Sequence, residues 1–136
     1  MIREILDDYG FWERMIRKKK REIDLLREKM TSITVNNDGL PRGTNRYTMN
    51  DYVSDLEELQ EELEELQSRQ LRAYDDIMRL LVVLDGPRSR EILYRRYISL
   101  WSWKKIRKAT KLSKTRCYDL HRDAIGYLEK RGVRDL

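Results

Sequence analysis

Apolar side chains recur in two long segments of the chain at the alternating three- and four-residue spacing of a helical seam. In the second segment they fall at Leu56, Leu59, Leu63, Leu66, Ala73, Ile77, Leu80 and Leu84, with Gln70 as the polar interruption. In the first they fall at Ile5, Tyr9, Trp12, Ile16, Ile23, Leu26 and Met30, interrupted at Lys19. A stripe repeating at this spacing predicts α-helices packed along a coiled-coil seam. Between them "TSITVNNDGLPRGTNRYTMN", Thr31–Asn50, is rich in Asn, Gly and Thr and reads as a loop. At about 20 residues it is longer than a simple connector, which points to a mobile or functional segment.

Folding the two segments back on each other brings Met30 beside Leu56, Ile23 beside Leu63, Ile16 beside Gln70 and Ile5 beside Leu80. Trp12 then faces Ala73, and the two polar breaks fall in adjacent layers. The charges agree with this pairing, because "RKKKR", Arg17–Arg21, faces the acidic run "DLEELQEELEELQ", Asp55–Gln67. Ion pairing explains the basic block better than a DNA or membrane patch does, although surface pairs set orientation more than stability. An intermolecular coiled coil would use the same seam, and the pattern leaves both arrangements open. The second helix is expected from Asp51 to Leu84. "DGP", Asp85–Pro87, ends it, with Gly86 suited to a left-handed cap and Pro87 to the first turn of a new helix. The expected organisation is therefore an antiparallel coiled-coil hairpin over 1–85, with its loop at about 31–50, followed by a second domain over 86–136.

After Pro87 the pattern shortens. "PRSREILYRRYI" sets Ile92, Leu93, Tyr97 and Leu100 against Arg88, Arg95 and Arg96. Ser102 is placed to cap a short helix with Trp103 and Ile106 inward, and Ser113 to cap a longer one with Cys117, Leu120, Ala124 and Leu128 on one face. Gly132 is a candidate terminator. A short helix, a turn of a few residues and a Ser-capped second helix describe a helix-turn-helix. Lys114, Thr115, Arg116, Asp119 and Arg122 point away from the apolar stripe of that second helix. Arg116 is the leading candidate for a base contact, because a guanidinium can donate two hydrogen bonds to a guanine edge. Lys104, Lys105, Lys108 and Lys111 suit phosphate contacts.

Charge sharpens this division. The chain carries +5 overall, but from Gly86 onward fifteen Lys/Arg stand against five Asp/Glu, while up to Asp85 the counts are fourteen and nineteen. A basic back half behind an acidic front half points to a polyanionic partner, most often nucleic acid, and by charge alone equally to a solvated basic surface. Met1–Met30 is charged throughout and lacks a signal-peptide core. "LLVVL", Leu80–Leu84, falls far short of the roughly 20 residues of a membrane span. With one cysteine, Cys117, no internal disulfide forms. The expectation is a soluble, all-α, cytoplasmic protein with no membrane partner. Catalytic chemistry has little support: His121 is the one histidine, Cys117 and His121 supply at most half a zinc site, and no Gly-rich phosphate loop is present. Neither an enzyme nor a cofactor is expected, and Cys117 reads as inert packing.

"ILYRRYISLWSWKKIRKATKLSKTRCYDLHRDAIGYL" resembles the region of sigma factors that reads the −35 promoter element. It looks closer still to small phage and prophage proteins of Gram-positive bacteria similar to RinA/ArpU-type late-gene regulators. The pieces that match are "ILYRRYI", "SWKKI", Ser113 and "CYDLHRDAI", and "TMNDYVSDLEEL" matches more loosely. The resemblance implies a sigma-like helix-turn-helix with its recognition helix beginning at Ser113, and sequence-specific regulation of phage or prophage transcription. Host RNA polymerase or a second copy of the chain would engage the hairpin. Arg107 departs from the usual Ala, Thr110 from a large apolar residue and Lys111 from the turn Gly. Arg107 cannot fill the small packing slot of an Ala, so either the first helix is rotated, with Ala109 taking that slot, or the two helices sit further apart. A protein–protein adaptor acting on a host complex, and a small-terminase-like packaging protein, are the competing readings.

Overall fold

Long uninterrupted runs of good helix formers dominate the chain, and the backbone follows them. The computed structural model describes residues 1–35 and 47–131, and its regular elements are all helices: α1 Ile2–Val35, α2 Met49–Val83, α3 Pro87–Tyr97, α4 Trp103–Thr110 and α5 Lys114–Arg131. The all-α expectation holds for these residues. They divide into two compact units, one made of Arg14–Ser68 and the other of Met1–Glu13 with the chain from Arg69 onward.

Within the Arg14–Ser68 unit, Ile16 and Ile23 are buried, whereas Leu26, Met30, Leu56, Leu59, Leu63 and Leu66 are only partly covered. Lys19, the polar break of the first seam, is drawn out of it by two carboxylates, Glu62 on α2 at 2.5 Å and Glu22 at 3.1 Å. The Glu62 bond raises its pKa most, against the opposing cost of burial. α1 continues through Val35, past the expected boundary, and Thr31 returns its hydroxyl to the Arg27 carbonyl at 3.0 Å. α2 opens at Met49 on a capping box: Thr48 N–H donates to Asp51 at 2.8 Å, and Asp51 N–H donates to Thr48 Oγ1 at 3.3 Å. Of the expected loop, 36–46 lies outside the described residues.

In the other unit, Ile2 and Leu6 of α1, Ile77, Leu80, Leu81 and Leu84 at the end of α2, Leu93 of α3, and Ala124, Ile125 and Leu128 of α5 share one core. Each fully buried Leu or Ile contributes roughly 1.5–3 kcal/mol. Ile2 and Leu6 lie off the expected stripe, and Ile5 and Tyr9 on it are half-buried. The first turns of α1 therefore cover more than one neighbour, which widens their apolar face. Gln70, the second polar break, donates to Glu13 at 2.6 Å.

Two junctions carry α3 into position. Pro87 is the first residue of α3 as expected, but Gly86 is an extended N-cap (φ −88°, ψ 124°), not a left-handed one. α2 stops at Val83 and leaves room for an extended link, so the left-handed turn is not needed. After Tyr97, the N–H groups of Ile98 and Ser99 both reach the Tyr94 carbonyl, and Trp101 N–H reaches Arg95 O at 2.9 Å. Leu100 takes a positive φ of 58° in this turn. Arg96 donates to the Trp101 carbonyl at 3.0 Å, fixing the entry to α4.

Candidate nucleic-acid interface

α4 and α5 are placed by a small core of Ile92, Ile106 and Cys117, flanked by Trp101, Trp103, Leu112 and Leu120. α4 starts where Ser102 Oγ accepts from Lys105 N–H at 3.2 Å, and α5 starts where Ser113 Oγ accepts from Arg116 N–H at 3.1 Å. Both expected serine caps are therefore in place, and each satisfies a donor that the first helical turn leaves open. Between them Lys111 closes α4 in the left-handed region (φ 60°, ψ 26°), its N–H bonded to the Arg107 carbonyl at 2.8 Å. A lysine thus occupies a backbone conformation that glycine adopts without strain.

The inward face of α4 differs from the rotated arrangement. Ala109 is exposed, while Thr110 is buried and 4% accessible. Burying that hydroxyl is tolerable because Thr110 Oγ1 donates to Ile106 O at 2.8 Å, with Cys117 Sγ 3.9 Å away. Arg88 reaches back from α3 to the Thr110 carbonyl at 3.3 Å and helps close the helix end. Arg107 is half-buried, and its Nε, shielded from solvent, has no hydrogen-bond partner among the described residues.

Lys104, Lys105, Lys108, Lys111, Ser113, Lys114, Thr115, Arg116 and Arg122 are exposed, and Asp119 is half-exposed. They are not equivalent. Arg122 is held by Asp119 at 3.4 Å and by Asp123 at 3.2 Å, so much of its charge is already compensated. Lys105 Nζ stands 4.4 Å from the Trp101 ring centre, and Arg95 stands 4.4 Å from the same ring. Lys114 lies over Tyr118 at 5.9 Å. Lys104, Lys108, Lys111 and Arg116 have no side-chain partner among the described residues. No acidic residue stands between Trp101 and Tyr118. The four cations left uncompensated among the described residues are thus spread over α4 (Lys104, Lys108), its C-cap (Lys111) and the first turn of α5 (Arg116).

An aromatic scaffold lies behind them. Trp103 is packed by Tyr118 at 5.0 Å, His121 at 4.9 Å and the Arg96 guanidinium at 5.0 Å. His121 Nε2 and Tyr97 Oη are 2.6 Å apart, with their rings stacked. Burial, then the charges of Arg3 and Arg96, hold the His121 pKa below its ordinary value. The histidine ties α5 to α3 as a neutral ring, and Cys117 is a buried free thiol. The roles of Arg88 and Arg96 as backbone caps were not legible in the sequence, where they read as a solvated face. No group of His, Cys, Asp and Glu that could hold a metal ion occurs among the described residues, and no helix there is long and apolar enough to cross a membrane.

Chemically, this surface can hold anions by charge and by hydrogen bonds from guanidinium, ammonium and hydroxyl groups. No protein-family model, curated protein or solved structure matches the chain.

Proposed function

We propose that the chain is a sequence-specific, double-stranded DNA-binding transcription regulator of phage or prophage genes. In this reading an antiparallel coiled hairpin precedes a sigma-like helix-turn-helix formed by α4, the Lys111 turn and α5. α5 enters the major groove from Ser113 onward, Arg116 addresses a base edge, and Lys104, Lys108 and Lys111 address phosphates. The protein acts by binding and not by catalysis, in the cytoplasm of a bacterial host cell, where RNA polymerase is the natural further partner of a sigma-like module.

The observation that carries the reading is the set of four exposed cations with no partner among the described residues, Lys104, Lys108, Lys111 and Arg116, on α4, its C-cap and the Ser-capped first turn of α5. Like charges on neighbouring elements repel each other, and phosphates relieve that repulsion. The three phosphate contacts predict a slope of about −3 in a plot of log K against log salt concentration. Fluorescence anisotropy with a labelled duplex, repeated across a salt series, measures this slope. Absence of salt-sensitive binding at low ionic strength would remove the proposal.

A second reading, an adaptor on a host protein complex, draws on a different surface. Met78, Leu81 and Val82 of α2, with Pro87 and Tyr94 of α3, line an open groove of about 430 Å³, and Val82 is 76% exposed. That reading predicts a host protein that co-purifies after nuclease treatment and is lost in Val82→Glu.

A further inference from the structure

We infer that residues 14–32 of α1 and 49–68 of α2 pair with the same residues of a second copy, forming a four-helix bundle in which α1 of each copy lies against α2 of the other. Two observations within this unit support the pairing, and neither depends on DNA binding. The first is its incomplete core. Among its described residues Ile16 and Ile23 alone are buried, six further Leu and Met positions of the seam keep part of their surface in water, and Leu25 and Val53 are 59% and 39% exposed. Two helices alone cannot enclose a seam of this length, whereas four can.

The second is charge. Between Arg14 and Val35, eight basic residues stand against three acidic ones, while Met49–Ser68 carries eight acidic residues and no basic one. Lys18, Lys20 and Arg21 on α1, and Glu57, Glu58, Glu61 and Glu64 on α2, are all exposed. A unit with one strongly basic and one strongly acidic helix complements a copy of itself turned by a twofold axis along its length. That axis sets α1 over the other copy's α2, whereas the alternative axis would set like charges together. Some 20 helical residues at 1.5 Å each, across two helices about 10 Å wide, give an interface of about 600 Å² per copy. The total is near the lower end of the range for stable dimers.

Light scattering on the eluting full chain, without DNA, tests this. The chain mass is 16.6 kDa, and the wild type is expected at twice that at micromolar concentration. K18E/K20E/R21E reverses three exposed charges of α1, and E57K/E61K/E64K reverses three exposed charges of α2, so that each variant sets like charges against each other across the pairing. Each alone is expected to weaken the dimer at least tenfold, and an equimolar mixture to restore it as a heterodimer. If a reversed variant loses helicity by circular dichroism, the neutral sets K18Q/K20Q/R21Q and E57Q/E61Q/E64Q replace it, each expected to weaken the dimer by a smaller factor. A monomeric wild type, a larger ring, variants as dimeric as the wild type, or a mixture that stays monomeric would overturn the inference. Retention of one copy on host polymerase with no self-association would do so as well.

Discussion

Replacing Lys111 by glycine isolates the backbone strain at the α4–α5 turn. Lys111 sits at φ 60° and ψ 26°, exposed, with its N–H bonded to Arg107 O at 2.8 Å. Glycine keeps that bond and removes the clash between Cβ and the backbone, worth about 1–2 kcal/mol. Against this, glycine frees the unfolded chain by about 0.5–1 kcal/mol. The net expectation for Lys111→Gly is a gain of about 0.5–1 kcal/mol, or about 2–4 °C in Tm for a chain of this size. Lys111→Ala keeps the strain and removes the charge, so its stability stays at or slightly below that of the wild type. Thermal unfolding followed by tryptophan fluorescence suits the measurement, because Trp101 and Trp103 flank this core. Lys111→Gly equal to or less stable than Lys111→Ala would refute a left-handed turn here. Both variants remove one cation, so each should lower the magnitude of the salt slope for DNA binding by about one. Strain and charge are thus read out separately.

Arg107→Met keeps the aliphatic stem and removes the solvent-shielded, unpartnered Nε, so stability should rise by about 1 kcal/mol; a loss in chemical denaturation would show that this N–H is satisfied. His121 has its pKa lowered from 6.5, first by burial and then by Arg3 and Arg96, so the folded state favours the neutral ring. Its contribution is fully present above about pH 6.5 and is lost as pH falls through the lower folded value. Tm should therefore decline on acidification through this range in the wild type and less in His121→Gln, and parallel declines in both would contradict the account.

Seam spacing, serine caps and the proline start of α3 were legible because each depends on residues close together in sequence. Ser102 and Ser113 bond to N–H groups three residues on, and Pro87 needs only its own ring. The left-handed turn at Lys111 followed only from the resemblance, whose pattern has Gly at that position. What escaped depends on reach and packing between elements. Arg88 and Arg96 read as solvated charges, but tertiary packing brings carbonyls within range of their long side chains. Ala109 is inward only in the rotated one of the two expected arrangements, and it is exposed; Thr110 is the residue buried, because returning its hydroxyl to Ile106 makes a polar residue acceptable there. Ile2 and Leu6 join the core of α2 and α5, a neighbour the heptad pattern of α1 does not encode. At the candidate interface, exposure of the basic residues was readable from periodicity. The pairing of Arg122 with Asp119 and Asp123, and the stacking of Lys105 on Trp101, were not.

The central claim is that the N-terminal turns of α5 read DNA. Its most direct test is to select a preferred duplex from a randomised pool and compare it with a scrambled duplex at fixed salt, using the wild type, Arg116→Ala and Lys108→Ala. The account predicts that Arg116→Ala loses about 1–3 kcal/mol on the selected duplex and little on the scrambled one, so that discrimination at one base pair relaxes. Lys108→Ala should weaken both duplexes alike and lower the magnitude of the salt slope by about one. Failure to enrich any sequence, or an Arg116→Ala protein that discriminates as the wild type does, would contradict it.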